Sequence, residues 1–227
     1  MRRGVTHKPT AVARRRSAPP APKGRAREAR RTSYYSLLLE VAERVFADRG
    51  YVGTRMQDIA TEAGLALATV YSAVAGKEEL YAAIHETRGR ALLERAASAA
   101  SESARAGAFE ALIAGIETYV DYLTEHPNYL RLHLNEGQPW ALDPKFICDE
   151  QRRQWREGLG LVTNVFRASI AEGSVIEMDP EVMARLTIAA HQVMLVHWVE
   201  NHMREPSRDL VTRMKDHVRR SFGARRE

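Results

Sequence analysis

The chain has 227 residues, 44% of them hydrophobic, and 34 Lys or Arg against 29 Asp or Glu give it a net charge of +5. That length allows one large domain or two modest ones with a buried core. The single cysteine, Cys148, excludes an internal disulfide or a thiolate metal cluster and reads as a spectator thiol. No uninterrupted apolar run approaches the roughly 18 residues of a membrane span, and no apolar stretch near the start marks a secretion signal, so a cytoplasmic protein is expected.

Charge is unevenly placed. Residues 1–31 hold eleven basic side chains against one acid, Glu28, and include Pro9, Pro19, Pro20 and Pro22. Such a segment is expected to be a disordered basic arm. It reads either as an arm that follows DNA phosphates or enters the minor groove, or as a solubilising extension. Residues 32–80 are mildly acidic, with four basic and seven acidic side chains, and residues 81–227 carry 19 and 21. Phosphate neutralisation dominates DNA affinity, so the arm is expected to supply much of any binding strength.

After the arm, Leu38, Val41, Ala42, Val45 and Phe46 follow helical spacing, which predicts an amphipathic helix over Ser33 to Arg49, ended by Gly50. Thr54 to Lys77 then reads as two short helices hinged at Gly64. Thr54 and Gln57 have the spacing of a capping box. Ile59, Ala60 and Ala63 form an apolar face, Val70 and Ala73 or Val74 anchor the second helix, and Leu67, Ala68, Thr69, Tyr71 and Ser72 face outward. Gly76-Lys77-Glu78-Glu79 opens a long helix with acids in its first turn.

The blocks Phe46 to Tyr51, Thr54, Asp58-Ile59-Ala60, Ala63-Gly64-Leu65, Thr69-Val70-Tyr71 and Lys77 to Leu80, in this order and spacing, carry a resemblance. Helix, helix-turn-helix and long helix together resemble the amino-terminal domain of the TetR family of bacterial transcriptional regulators, over about Ser33 to His85. The resemblance implies an all-α fold. A three-helix DNA-binding domain at 32–80 would precede a larger helical ligand-binding and dimerisation domain at 81–227. It places the second short helix in the major groove, with Tyr71 and Lys77 at phosphate-contacting positions. Thr54 and Arg55 are further candidate contacts. The chain departs from the family pattern at Ala66, Leu67 and Ala68, and at Val74, where an aromatic is usual. Nothing from Leu65 to Ala75 is charged, so the bidentate arginine–guanine contact is missing. Leu67, Ala68 and the Thr69 methyl suit thymine methyls, while Ser72 and the Thr69 hydroxyl suit hydrogen bonds.

Beyond Tyr81 the pattern is all-helical. Phe109 to Leu123, a short helix opened by Pro127, Trp155 to Ile170, a helix opened by Asp179-Pro180 and a last one opened by Pro206 follow in order. On the helices that line the family's cavity lie Tyr119, Tyr122, Leu123, Tyr129, Trp140, Trp155, Phe166, His191, Met194 and Trp198. These candidate ligand residues suit a mainly apolar molecule. Val193, Val196, Leu210, Met214 and Val218 read either as a dimer interface or as internal core.

The reading is therefore a homodimeric, ligand-responsive regulator binding double-stranded DNA at a palindromic operator. It is expected to be a repressor, without cofactor, metal or catalytic residues. Two alternatives stay open. One is a nonspecific nucleic-acid binder driven by the basic arm, with a vestigial recognition helix. The other is a helical-bundle metal enzyme using His191, His197, Glu200 and His202 or His133 and Glu136, although the Glu-x-x-His order of di-iron bundles is absent.

Overall fold

The computed structural model describes residues 22–135 and 146–224, with side chains from Thr32 onward apart from that of Asn135. The described residues form ten α-helices. These are α1 (Pro22–Gly53), α2 (Met56–Glu62), α3 (Leu67–Ala73), α4 (Lys77–Ile84), α5 (Arg90–Ser103), α6 (Ala108–Glu125), α7 (Pro127–Asn135), α8 (Asp149–Ala171), α9 (Pro180–Glu200) and α10 (Ser207–Phe222).

Helix α1 begins earlier than the Ser33 expected. Pro22 stands in its first turn, where a missing N–H costs nothing, and the Ala- and Arg-rich stretch that follows propagates an anchored helix at little cost. The expected disordered arm thus overlaps this helix over 22–31; residues 1–21 lie outside the described residues. At its other end Gly50 adopts φ +70°, a left-handed conformation that breaks the helix before Tyr51.

The stripe predicted on α1 is buried: Leu38, Val41, Ala42, Val45 and Phe46 are each at most 5% exposed. They close over Ile59, Ala60, Val70, Val74 and Leu80, giving the first three helices and α4 one core. Burying Phe46 or Leu38 contributes about 1.5–3 kcal/mol each. Gly64 turns the chain between α2 and α3 at φ +66°.

A five-residue π turn, His85–Gly89, joins α4 to α5 without interrupting the rod. The amino-terminal helices are also tied sideways: α1 packs along α7, Arg88 reaches the largely buried carboxylate of Glu43 at 2.9 Å, and Arg131 approaches Asp48 at 3.6 Å.

In the larger domain α6 is central. Its buried Phe109, Leu112, Ile113, Ile116, Val120 and Leu123 match the predicted face. Helix α10 lies along it, with Lys215 paired to Glu117 and Arg219 to Glu110 beside the apolar seam. The Phe166 and Phe222 rings meet edge to face at 5.2 Å. Antiparallel hydrogen bonds from Ile176 to Phe222 and from Ala224 to Ser174 fasten the α8–α9 loop to the end of α10. Asp179 caps α9 by accepting from the Glu181 and Val182 N–H groups, as its Asp-Pro-Glu opening predicted. By length and composition α9 is apolar enough to cross a membrane. Here it packs Met183, Ala184, Leu195 and Trp198 into the core.

Candidate functional site

Two sites stand out, and each is built differently from its sequence reading. On the amino-terminal head, α3 presents Ala68, Tyr71 and Ser72 to solvent, with Tyr71 51% exposed. Leu67 and Thr69 are half-buried, and the Ser72 hydroxyl donates to the Thr69 carbonyl at 2.6 Å. Arg55 is exposed at the start of α2.

Thr54 and Lys77 take other parts. Thr54 is 1% exposed and its hydroxyl donates to the Gly50 carbonyl at 2.7 Å, so it closes the end of α1 and offers no surface to DNA. The reciprocal cap of α2 comes from Asp58, which accepts from the Arg55 N–H at 2.8 Å. That backbone bond, with Arg49 beside it at 2.8 Å, holds the Asp58 carboxyl below its usual range. The Lys77 ammonium donates to the Tyr51 and Thr54 carbonyls at 2.8 and 2.9 Å and sits 4.2 Å from the Tyr51 ring centroid. It clamps the start of α4 to the end of α1, with two of its three donors committed.

The second site is a cavity of about 490 Å³ among α5, α6, α7, α8 and α9. Of the ten candidate ligand residues it is lined by Tyr119, Trp155 and His191. Tyr122, Leu123, Tyr129, Phe166, Met194 and Trp198 are not in its wall, because most of these large rings and chains fill the core behind it. Trp140 lies outside the described residues. The wall that sequence reasoning missed is α5, where Ala96, Ala97, Ala100 and, just beyond its end, Ala104 face the space. Alanines at helical spacing are the available signal: a stripe of small side chains leaves volume that aromatics would fill.

Several polar groups on that wall bond within the protein, whereas the buried His191 Nε2 has no hydrogen-bond partner among the described residues. The Tyr119 hydroxyl and His133 Nε2 lie 3.2 Å apart, and the Thr187 hydroxyl donates to the Met183 carbonyl at 2.9 Å. Burial holds His191 down to about 4 and His133 well below its usual value, so both rings are neutral near pH 7. Burial likewise pushes the Tyr119 hydroxyl upward.

Gln154 joins the cavity to the rod. It lines the cavity, donates to the Tyr129 hydroxyl at 2.9 Å, and places Oε1 3.4 Å from His85 Nδ1. Its amide occupies the space that a side chain on Gly89 would need, 2.1 Å from the ideal Cβ position. His85 is buried and neutral, held down to about 4 by desolvation. Its ring meets Tyr81 at 4.7 Å, and Tyr81 in turn contacts Tyr51 and Phe46 in the head.

Among the interface candidates, Val193 is 68% exposed and Val196 half-buried. Leu210, Met214 and Val218 are 0% exposed: neighbouring helices of this chain bury the apolar face of α10. Among the described residues no three His, Cys, Asp or Glu side chains gather to hold a metal ion.

Residues 38–84 match the family model of the bacterial regulatory proteins, tetR family. No curated protein is significantly similar in sequence to this chain. Solved structures share its fold. FadR from Bacillus subtilis in complex with stearoyl-CoA is 20% identical with a TM-score of 0.66, covering 81% of this chain and 97% of that one. AibR in complex with isovaleryl coenzyme A and operator DNA is 22% identical with a TM-score of 0.66, over 80% and 95%. A tetR-family regulatory protein from Rhodococcus RHA1 is 20% identical with a TM-score of 0.69, over 85% and 98%. At these identities the likeness establishes the fold. The shared architecture is an exposed helix-turn-helix carried on a rod that runs into a cavity-bearing helical domain. Residues 38–84 are thus similar to the amino-terminal domain of the bacterial regulatory proteins, tetR family.

Proposed function

We propose that this protein is a homodimeric, sequence-specific transcriptional regulator, a repressor released from a palindromic operator by a small, mainly apolar molecule. The observation that carries the reading is Gln154 of α8, which lines the cavity and packs against the π turn continuing α4. A ligand that shifts Gln154 changes the support of His85 and Gly89, and so the tilt of α4 beneath the reading head. Such a shift needs a ligand with unequal affinity for the DNA-competent and incompetent states. AibR, whose structure holds both an acyl-CoA and operator DNA, supports pairing the two sites in this fold.

Dimerisation follows from the reading head itself: one short helix covers a half-site, and two-fold symmetry doubles the contact. Helix α9 offers the surface, with Val182 46%, Leu186 50% and Val193 68% exposed along one side.

One observation favours a second reading. The exposed face of α3 holds Ala68, Tyr71 and Ser72 and no cation, so base discrimination is modest and the basic residues 1–31 carry binding without sequence preference.

Selection of bound duplexes from a random pool by the full-length protein at physiological salt separates the two. A palindrome is the expected product, and Thr69→Ala is expected to weaken the selected operator by about 1–3 kcal/mol while leaving random DNA nearly unchanged. Retention of DNA with no enriched motif overturns the regulator reading in favour of the second.

A further inference from the structure

The cavity wall has a property that narrows the ligand beyond its apolar character. None of its described lining residues is Asp, Glu, Lys or Arg, and its titratable groups are Tyr119, His133 and His191. The hydroxyls of Tyr119 and Thr187 already have partners in the protein. Arg185, stacked over the Trp155 ring at 5.4 Å from its centroid, comes up behind this wall paired with Glu181 at 2.8 Å, while Arg90 and Arg153 line a separate space across Leu93 and Gln154, together with Glu86, Glu150 and Glu157. A carboxylate or ammonium brought inside would lose its water without gaining a counter-charge, a cost that apolar contact does not offset.

We infer that the effector is uncharged where it occupies the cavity: a neutral, largely hydrocarbon molecule, selected against acidic and cationic homologues of the same length. The size supports this, since about 490 Å³ lies in the range that encloses most of a drug-sized ligand. The alanines of α5 leave room for methylene groups or a ring against Leu112 and Ile116 on the facing α6. The inference rests on the cavity being the effector site of the proposed regulator, and it differs from the thioester anions held by FadR and AibR.

The test uses three probes of one length, 1-decanol, decanoate and decylammonium, titrated calorimetrically into the full-length protein at pH 7.5. Decanol is expected to bind at least tenfold more tightly than either ion. Gly158→Leu and, independently, Ala100→Phe fill the cavity and are expected to abolish that binding with the fold intact by circular dichroism. Ile188→Arg places a cation in the wall and is expected to reverse the preference toward decanoate. Equal or tighter binding of either ion by the unmodified protein overturns the inference, as does binding of none of the three or binding that survives both filling variants. Operator selection is read separately from these titrations. A palindrome recovered alongside a preference for ions sinks the neutral-ligand assignment and leaves the regulator standing.

Discussion

Lys77 illustrates how a single side chain changes its role between sequence and structure. Its ammonium holds two carbonyls at the end of α1, so replacing it with methionine leaves Tyr51 and Thr54 without that donor. Lys77→Met is expected to destabilise the protein by about 1–3 kcal/mol, seen as a lower midpoint in urea. An unchanged midpoint with a shallower salt dependence of DNA binding would instead mark Lys77 as a phosphate contact. The arrangement was partly legible: the spacing of Thr54, Gly64, Tyr71 and Lys77 announced a helix-turn-helix. Whether a hydroxyl or ammonium faces solvent depends on which carbonyls the next helix brings near, and periodicity carries no such information.

At the scale of elements, the junction between α4 and α5 concentrates the coupling. Five π-helical residues widen the rod where Gln154 from α8 lies against Gly89, and such turns recur at functional positions. Gly89→Ala has nowhere to put its methyl without displacing an amide that bonds Tyr129 and faces His85. The variant is expected to lose about 1–2 kcal/mol of stability and to bind operator with a weakened response to ligand, measured by fluorescence anisotropy with and without the cavity probe. A full ligand response from this variant would show that Gln154 does not transmit the signal. Nothing in the sequence marked the junction, because Gly89 and Gln154 are 65 positions apart and meet only through tertiary packing. The helices themselves were readable, since Pro127, Asp179-Pro180 and Pro206 stand at or beside their starts.

For the whole molecule, two outcomes are expected. Helix α9 leaves Val182, Leu186 and Val193 exposed in a row, and Leu186→Glu with Val193→Glu is expected to convert a dimer to a monomer in sedimentation equilibrium while preserving helix content. A monomer before substitution would remove α9 as the interface. The second outcome concerns acid. His85 and His191 are buried with values held to about 4, and His133 is depressed in the same direction by burial. An unfolded histidine titrates near 6.5. Between about 4 and 6.5 the unfolded chain binds these protons and the folded chain does not, so stability rises with pH across that window. Each ring contributes up to about 1.4 kcal/mol per pH unit there. Urea midpoints are expected to fall from pH 7 to pH 5, and His191→Phe to reduce that slope. A slope unchanged by the variant would mean that His191 does not resist protonation in the fold.

The sequence by itself determined the order of most helices and the helix-turn-helix, because helical periodicity, capping residues and glycine turns act over a few residues. It also limited the reading helix to uncharged contacts. Tertiary structure alone decided which apolar side chains became wall, core or open surface. Leu210, Met214 and Val218 looked suited to a partner subunit but are buried within the chain beside α6, whereas Val193 on α9 remains exposed. The aromatics expected around a ligand largely went into the core, and alanines of α5 made the cavity. The physical reason is that a cavity is a deficit of volume between helices, set by how closely their axes approach, and no single helix records that distance.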